Sequence, residues 1–229
     1  MASIEAKLQQ VRERIVLACA AAQRPVQSVT LLAVSKTFAA DALREAHAAG
    51  QRAFGENYVR EALAKIEALV ALRPGIEWHL IGPLQSNKTR EVAAAFDWVH
   101  SIDRLKVAER LSAQRPAGLG PLQVCLQVNV SGEASKSGVE PSELPAMAHA
   151  VAALPNLRLR GLMSIPEPVA DFEAQRAPHR CLRELFDALR GEGLALDTLS
   201  MGMSADLEAA IAEGATIVRV GSAIFGART

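Results

Sequence analysis

Aromatic residues are scarce in this sequence, at 4% of 229 residues, which disfavours a surface that stacks nucleic-acid bases. Net charge is also lacking, because 25 basic residues balance 25 acidic ones and leave no overall field to attract nucleic acid or an acidic membrane. No run approaches the roughly 18 uncharged apolar residues that would span a membrane. We therefore expect neither nucleic acid nor a membrane as a partner.

The sequence also lacks the patterns of disulfide, metal-binding and secretory proteins. Its three cysteines, Cys19, Cys125 and Cys181, are far apart and show no Cys-x-x-Cys spacing, so we interpret them as reduced thiols. The five histidines show no paired ligand spacing, and we expect no metal site. Residues 1–23 are charged and periodic, unlike the apolar core of a secretory signal. These observations predict a cytoplasmic protein.

What the sequence does contain is a regular alternation of apolar strand patterns with helical segments, which predicts parallel strands joined by helical crossovers. An open doubly wound sheet would satisfy the pattern, but eight repeats in 229 residues favour a closed (β/α)8 barrel of the TIM type. Because no linker composition interrupts the chain, we expect a single domain over residues 1–229, with an extra N-terminal helix over residues 3–22. The predicted strands are 29–35, 52–56, 77–82, 97–102, 122–130, 157–165, 197–202 and 216–221.

Helical periodicity predicts the segments between these strands, and some of them carry terminal signals. Ser204 is a candidate N-cap, and Gly191 and Gly214 occupy positions where helices commonly end. The predicted helices between strands are 39–49, 58–72, 86–95, 104–114, 141–153, 171–190 and 205–213.

In a barrel of this type the functional site lies at the carboxyl ends of the strands, so the polar residues at those ends are the candidates. The set contains one amine, one guanidinium, two amides and several hydroxyls. It lacks the paired carboxylates of a glycosidase, a metal-ligand cluster and a nucleophile elbow. The strand-end residues are Lys36, Asn57, His79, Asp103, Asn129, Ser164, Ser200, Ser204, Arg219 and Ser222.

The turns after the seventh and eighth strands have the composition of anion-binding sites. Gly202 allows backbone to approach a ligand closely, and Ser204 precedes a helix whose free N–H groups and dipole favour an anion. Gly221 and Ser222 offer backbone amides and a hydroxyl after the last strand. Because Gly–Ser turns are common, an unspecialised loop is the alternative.

Lys36 and Arg219 each allow two interpretations. Lys36 ends the apolar run LLAVSK, and it is either a solvated strand end or a desolvated amine that forms a Schiff base with a carbonyl. Arg219 lies between Val218 and Val220 and shares a side of the strand with Gly221. It is either half of a structural ion pair or a ligand contact inside the barrel. Together, the amine, the two turns and the guanidinium match the aldehyde, phosphate and ring nitrogen of pyridoxal 5′-phosphate.

At these same residues the sequence resembles the pyridoxal phosphate homeostasis proteins, single-domain relatives of the barrel of bacterial alanine racemase. The resemblance covers nearly the whole chain and rests on seven motifs, in order, at predicted strand ends. The motifs are AVSKTF at 33–38, FGENYVRE at 54–61, WHLIGPLQSNK at 78–88, VNVSGEASKSG at 128–138, GLMSIP at 161–166, LSMGMSADLEAAI at 199–211 and RVGSAIFG at 219–226.

The resemblance implies a role for each matching residue. Lys36 would hold the cofactor as a Schiff base, Asn57 would lie beside its ring, and Arg219 would face the pyridine nitrogen. Many relatives have threonine where this chain has Ser222, and the serine keeps the hydroxyl. The residues that would form the phosphate cup, with the Met203 region contributing backbone, are Ser200, Met203, Ser204, Gly221 and Ser222.

Members of this family are understood as carriers of pyridoxal phosphate and as regulators of vitamin B6 and amino-acid balance, with no established turnover. The resemblance implies the same function here, with the apo forms of enzymes that use this cofactor as possible acceptors. The lack of an extended apolar surface helix makes a monomer the expected state. Lys136 lies in a loop rich in Gly and Ser, and it is either a solvated lysine or an aid to cofactor release.

The alternative function is an amino-acid racemase of low efficiency that uses pyridoxal phosphate. An arginine facing the pyridine nitrogen leaves that nitrogen unprotonated, which weakens the ring as an electron sink but still permits racemase chemistry. Lys36 could serve one face of the substrate. For the other face, Tyr58, the single tyrosine, and His79 are candidates that a structural role also explains.

Overall fold

The structure, a computed structural model, describes residues 2–131 and 137–226. In that part of the chain, eight parallel strands close into a barrel in sequential order, which confirms the predicted (β/α)8 architecture. All eight predicted strands are present and are slightly shorter than the sequence pattern indicates. Their bounds are β1 Thr30–Val34, β2 Ala53–Glu56, β3 Glu77–Leu80, β4 Trp98–Ile102, β5 Leu122–Gln127, β6 Leu157–Met163, β7 Thr198–Ser200 and β8 Ile217–Val220.

Helices fill the connections and form the outer layer. The predicted N-terminal helix precedes the barrel, and a short helix after β8 adds an element that the sequence pattern did not predict. Within the described ranges, no helix combines the length and apolar character needed to cross a membrane. The helices are α1 Ile4–Ala21, α2 Ala40–Ala48, α3 Val59–Ala68, α4 Thr89–Ala95, α5 Leu105–Gln114, α6 Leu144–Ala152, α7 Phe172–Gly191, α8 Leu207–Ala212 and α9 Ser222–Phe225.

Two of the predicted helix ends are displaced in the structure. The N-cap of α8 is Asp206, so the prediction that Ser204 caps this helix is wrong. α7 continues through Gly191, because Gly193 takes the left-handed conformation (φ +94°) and donates its N–H to the Arg190 carbonyl. Gly214, at φ +96°, follows α8 as predicted.

The pairing of β1 with β8 closes the barrel and brings together the strand ends that precede Lys36 and Gly221. Leu32 is paired with Arg219, and Ala33 with Val220. Lys36 therefore follows β1 at the same end of the barrel at which Gly221 follows β8. This register places the amine next to the glycine–serine turn of the last strand.

Alternation along β8 divides its side chains between two environments. Val218 and Val220 belong to the large apolar cluster that packs between strands and helices. Ile217 belongs to a smaller cluster with Leu32 and Val34 inside the barrel. Arg219 alternates with the two valines and is only 4% exposed, so its guanidinium is buried on the inner side.

The N-terminal helix α1 covers the part of the outer layer next to β8. It packs against α2, α8 and α9 through a buried apolar side that includes Leu8, Val11 and Ile15. Arg24, just after this helix, donates hydrogen bonds to the Ile211 and Ala215 carbonyls, 2.8 Å each. α1 is therefore joined to the segment that connects β7 with β8.

Candidate functional site

A cavity of about 330 Å³ opens at the carboxyl ends of the strands. Apolar side chains, including Val34, Phe38 and Ile81, form much of its wall. Ser200 lies outside this lining, is fully buried, and contacts Arg219. The structure thus brings the other residues that the family resemblance assigns to the cofactor together around one cavity: Lys36, Asn57, Met203, Ser204, Arg219, Gly221 and Ser222.

Lys36 lies on a short segment between β1 and α2 whose two neighbouring residues are firmly held. Ser35 donates its backbone N–H to the Gly55 carbonyl at 2.9 Å, which continues the strand pairing past β1. Thr37 has φ +69°, a left-handed conformation that is unusual for a β-branched residue. Its N–H donates to Glu61 Oε1 at 2.6 Å.

A buried ion network, which was not predicted from the sequence, lies against this segment. The ammonium of Lys65, on α3, donates to Glu56 Oε1 at 2.8 Å and to the Ser35 carbonyl at 2.7 Å. A third hydrogen bond, of 2.5 Å, joins Lys65 to Glu61 one helical turn earlier. Burial raises the pKa of the fully buried Glu56 carboxyl, and Lys65 opposes that shift. The network therefore connects the end of β2 and α3 to Ser35 and Thr37, the two chain neighbours of Lys36.

Asn57 follows β2 and lines the cavity beside Lys36. Gly82 makes this placement possible, because a Cβ atom at that position would lie 2.3 Å from the Asn57 carbonyl oxygen. The side-chain Oδ1 of Asn57 is buried and has no hydrogen-bond partner in the described part of the chain. A buried polar atom without a partner at a cavity wall is suited to contact a polar ligand.

The loop after β7 is held from three directions. Asp206 Oδ1 accepts the Met203 N–H at 2.6 Å, and Asp206 Oδ2 is 3.0 Å from His179 Nε2. Burial acts to raise the pKa of Asp206, but the hydrogen bonds from His179 and the Met203 N–H outweigh it and lower the pKa. Arg14 of α1 donates to the Ser204 carbonyl at 3.0 Å. These contacts fix the Met203–Ser204 backbone at the cavity.

Backbone N–H groups from two neighbouring loops are available at the cavity. No hydrogen bond within the described residues uses the N–H of Ser204, Gly221 or Ser222. Gly221 lies close to β1, where a Cβ atom would be 3.1 Å from the Val34 carbonyl oxygen. These three amides and the two serine hydroxyls lie on adjacent loops and form a group of donors suited to an anion.

Arg219 is held at the inner side of the cavity by backbone and hydroxyl groups. Nη1 donates to the Ser200 carbonyl at 2.6 Å and to the Ser200 hydroxyl at 2.9 Å. Nη2 donates to the Ser164 carbonyl at 2.7 Å. Burial lowers the pKa of Arg219 to about 10, with Asp206 acting in the opposite direction, so the guanidinium remains charged near neutral pH. A direct ion pair is absent from its contacts with the described residues.

A chain of buried polar side chains continues from Arg219 through the barrel interior. Ser200 Oγ is 2.8 Å from His100 Nδ1, and His100 Nε2 is 2.9 Å from His79 Nδ1. His79 Nε2 is 2.7 Å from Glu77 Oε1, near the opposite end of the barrel. Arginine only donates and an ionised carboxylate only accepts, so with both histidines neutral every bond of this chain runs from Arg219 towards Glu77.

Electrostatics support the neutral state of His100. Burial, reinforced by His79 and Arg219, holds the pKa of His100 well below its ordinary value. The hydrogen bond from His79 lowers the pKa of Glu77, which keeps that carboxylate ionised near neutral pH. His79 is thus a member of an interior chain and lies outside the lining of the cavity.

A larger concavity, of about 1070 Å³, lies at the opposite end of the barrel and is lined by several arginines. The guanidinium groups of Arg52, Arg73, Arg115 and Arg160 already have structural partners. Arg160 forms a two-point contact with Asp197, with N···O distances of 2.8 and 2.7 Å. Arg73 pairs with Asp97 at 2.8 Å, and Arg115 donates to three backbone carbonyls. The smaller cavity around Lys36 is therefore the better candidate for a functional site.

Two other residues were candidates in the sequence analysis. One of them lies away from this cavity, and the other falls outside the described ranges. The Tyr58 side chain is 56% exposed and does not line the cavity. Lys136 falls outside the described residues, and its proposed part in cofactor release stays a prediction.

Comparison with known proteins gives matches over the whole length of the chain. The family profile described as "Alanine racemase, N-terminal domain" matches residues 7–229. A protein of Pseudomonas aeruginosa named "Pyridoxal phosphate homeostasis protein" is 63% identical over 228 residues, covering 100% of this chain and 97% of the relative. The Escherichia coli K12 protein of the same name is 54% identical, covering 100% of this chain and 98% of the relative.

Solved structures agree with the fold. PipY of Synechococcus elongatus, solved with PLP bound, is 40% identical and has a TM-score of 0.87, with 98% of this chain and 100% of that chain covered. Alanine racemase from Corynebacterium glutamicum is 16% identical with a TM-score of 0.70, covering 98% of this chain and 61% of that chain. At that identity, the likeness to the racemase supports the barrel fold alone.

Proposed function

Because the chain belongs to the family of pyridoxal phosphate homeostasis proteins, we propose that it binds pyridoxal 5′-phosphate through a Schiff base at Lys36. Its role is to carry the cofactor and to regulate vitamin B6 and amino-acid balance in the cytoplasm. The three described cysteines are free thiols, in keeping with a reducing compartment. Enzymes that lack their pyridoxal phosphate are the expected acceptors.

The observation that carries this proposal is the convergence of three chemically distinct groups on one cavity. Lys36 supplies an amine for an aldehyde, and Arg219 supplies a fixed positive charge for the ring nitrogen. The free amides and hydroxyls at Ser204, Gly221 and Ser222 supply donors for a phosphate. The unpartnered Oδ1 of Asn57 adds a polar contact near the amine.

The residues around the cavity suit binding better than turnover. When bound, pyridoxal phosphate serves as an electron sink for reactions at the amino-acid Cα. Arg219 keeps its protons, so it would leave the ring nitrogen unprotonated and weaken that capacity. Among the described residues that line the cavity, Lys36 and Arg219 are the ionisable side chains. Lys36 could therefore move a proton on one face, whereas racemisation needs a group on each face.

Ser200 supports the site through Arg219. Its carbonyl and hydroxyl both accept hydrogen bonds from the guanidinium, and its side chain does not line the cavity. Its predicted contact with the phosphate stays a prediction, and its place in the structure favours a role in orienting Arg219.

The proposal is tested by an absorbance titration of the purified protein with pyridoxal phosphate. We expect a band near about 420 nm, typical of a protonated Schiff base of this cofactor, in the wild type and its loss in Lys36→Ala. Lys88→Ala is the matched control, because Lys88 is half-exposed and pairs with Glu91 away from the cavity lining. A wild-type protein without the band, or a Lys36→Ala variant that retains it, would contradict the proposal.

A further inference from the structure

We propose that Lys65, together with Glu56 and Glu61, is a positioning group that holds the Lys36 segment in its binding geometry. This inference rests on the proposed function in one respect, namely that Lys36 is the residue that bonds to the cofactor. Lys65 lies on α3 and is outside the lining of the cavity. Its effect would therefore pass through the backbone on either side of Lys36.

The group formed by Lys65, Glu56 and Glu61 first binds Ser35, the residue before Lys36. The Ser35 carbonyl accepts a hydrogen bond from Lys65 Nζ at 2.7 Å, and the Ser35 hydroxyl donates to Glu56 Oε1 at 2.6 Å. Glu56 ends β2, and its side chain is fully buried. Backbone and side chain of Ser35 are thus both bound by the same pair of charged groups.

The same group also binds Thr37, the residue after Lys36. Its left-handed conformation, φ +69°, is sparsely populated for β-branched residues, so surrounding contacts must maintain it. The contact available is the hydrogen bond of its N–H to Glu61 Oε1, at 2.6 Å. The same Glu61 oxygen is bonded to Lys65. Lys65 therefore connects the contacts before and after Lys36.

The orientation of Lys65 itself is strongly determined. An ammonium group has three N–H donors, and the structure gives Lys65 three acceptors, on Ser35, Glu56 and Glu61. Its side chain is 6% exposed, which leaves little freedom for an alternative arrangement. Two carboxylates share this one ammonium, so both depend on Lys65 for their hydrogen bonds to a cation.

If Lys65 and Glu56 served only to stabilise the fold, charged side chains would not be needed at these positions. Buried ion pairs can often be replaced by neutral side chains of similar volume without loss of stability, whereas removal of one partner leaves an uncompensated charge. Lys65→Met combined with Glu56→Gln removes both charges together and keeps an amide oxygen that can accept from Ser35. This double variant is expected to fold and to lose the connection between Ser35 and Thr37.

The test compares this double variant with wild type by thermal unfolding, by hydrogen exchange of the Thr37 amide in the cofactor-free protein, and by absorbance titration. We expect a similar melting temperature, about tenfold faster exchange at Thr37 and about tenfold weaker cofactor binding, the size expected for the loss of one or two hydrogen bonds. Lys88→Met with Glu91→Gln, the same chemical change at a half-exposed pair, is expected to leave all three quantities unchanged. A folded double variant with wild-type exchange and wild-type affinity would overturn the proposal.

A second variant covers the case in which the double variant does not fold. Glu61→Ala removes the acceptor of the Thr37 N–H at a side chain that is 31% exposed, so the fold should tolerate it. We expect faster exchange at Thr37 and weaker binding, and wild-type values for both would refute the inference. The exchange measurement needs no cofactor, so a failure of this inference is distinguishable from a failure of Lys36 to bind the cofactor at all.

Discussion

Arg219 donates two hydrogen bonds from a single nitrogen to Ser200, 2.6 Å to the carbonyl and 2.9 Å to the hydroxyl. A buried guanidinium is therefore held by neutral acceptors, with the Ser164 carbonyl as a third. The ion pair that the sequence left open as an alternative is not among its contacts with the described residues. The result is a fixed positive charge at the inner wall of the cavity, oriented by the strand ends of β6 and β7.

Replacing this charge should affect both folding and binding. Arg219→Gln leaves the Ser164 and Ser200 carbonyls with fewer donors, so we expect a loss of about 1–3 kcal/mol in the free energy of unfolding. Cofactor binding should weaken by at least about tenfold, a loss of about 1.4 kcal/mol or more. Urea unfolding and absorbance titration measure the two effects. Arg158→Gln, at an exposed arginine of β6, is the control, and an Arg219→Gln protein as stable as this control would contradict the interpretation.

The donors at the glycine–serine turn should recognise the phosphate specifically. Ser222→Glu introduces a negative charge at an exposed position of the cavity lining, and we expect the affinity for pyridoxal phosphate to fall at least about tenfold through like-charge repulsion. Pyridoxal, which lacks the phosphate, should bind the variant and the wild type equally. Ser142→Glu, at an exposed serine before α6, controls for added charge. Equal weakening for both ligands would place the phosphate elsewhere.

The buried histidine chain should make stability depend on pH. Burial lowers the pKa of His100 in the folded protein, whereas in the unfolded chain it titrates near about 6.5. Below that pH the unfolded state binds a proton that the folded state does not, so this contribution to stability is present above about pH 6.5 and is lost as the pH falls, by up to about 1.4 kcal/mol per unit.

Urea unfolding between pH 5 and 7.5 measures this slope. His100→Gln removes the titrating group, and we expect a shallower decrease in stability towards acid pH than in wild type. His149→Gln is the control, because His149 is half-exposed and pairs with Glu192 on the surface. A slope in His100→Gln equal to that of wild type would show that His100 does not make this contribution.

The distinction between a carrier and a racemase is also measurable. Lys36 is the one proton-transfer group that the described cavity lining offers besides the strongly basic Arg219. We therefore expect exchange of the Cα proton of alanine and other amino acids in deuterated water to be slow, as followed by NMR with the cofactor-loaded protein. Rapid exchange with interconversion of enantiomers would favour the racemase instead.

The barrel and the end of it that carries the site can be predicted from sequence. Eight strand patterns separated by helical patterns leave few alternatives, and strand ends such as the one before Lys36 can be located to within a few residues. Parallel closure then places Lys36 and Gly221 just after neighbouring strands, which is why a list of strand-end residues was sufficient to collect the polar side chains of the cavity lining.

The contacts that support the site could not be predicted in this way. Glu61 and Lys65 are four residues apart on a helix, a spacing typical of a solvated surface pair, and lysine is mostly exposed in proteins. Lys65 is nevertheless buried, because its ammonium reaches the Ser35 carbonyl after β1 and Glu56 at the end of β2, whereas Glu61 stays partly exposed. His79 and His100 contact each other only because β3 and β4 pair with a particular register, and single-strand patterns contain no information about that register.

Borohydride reduction followed by peptide mapping tests directly whether Lys36 forms the covalent bond to pyridoxal phosphate. Reduction converts a Schiff base into a stable secondary amine, so the modified lysine can be identified by mass spectrometry. We predict a single phosphopyridoxyl group on the peptide that contains Lys36, and none in Lys36→Ala. Modification of another lysine with Lys36 unmodified, or no modification in a protein that binds the cofactor, would contradict it.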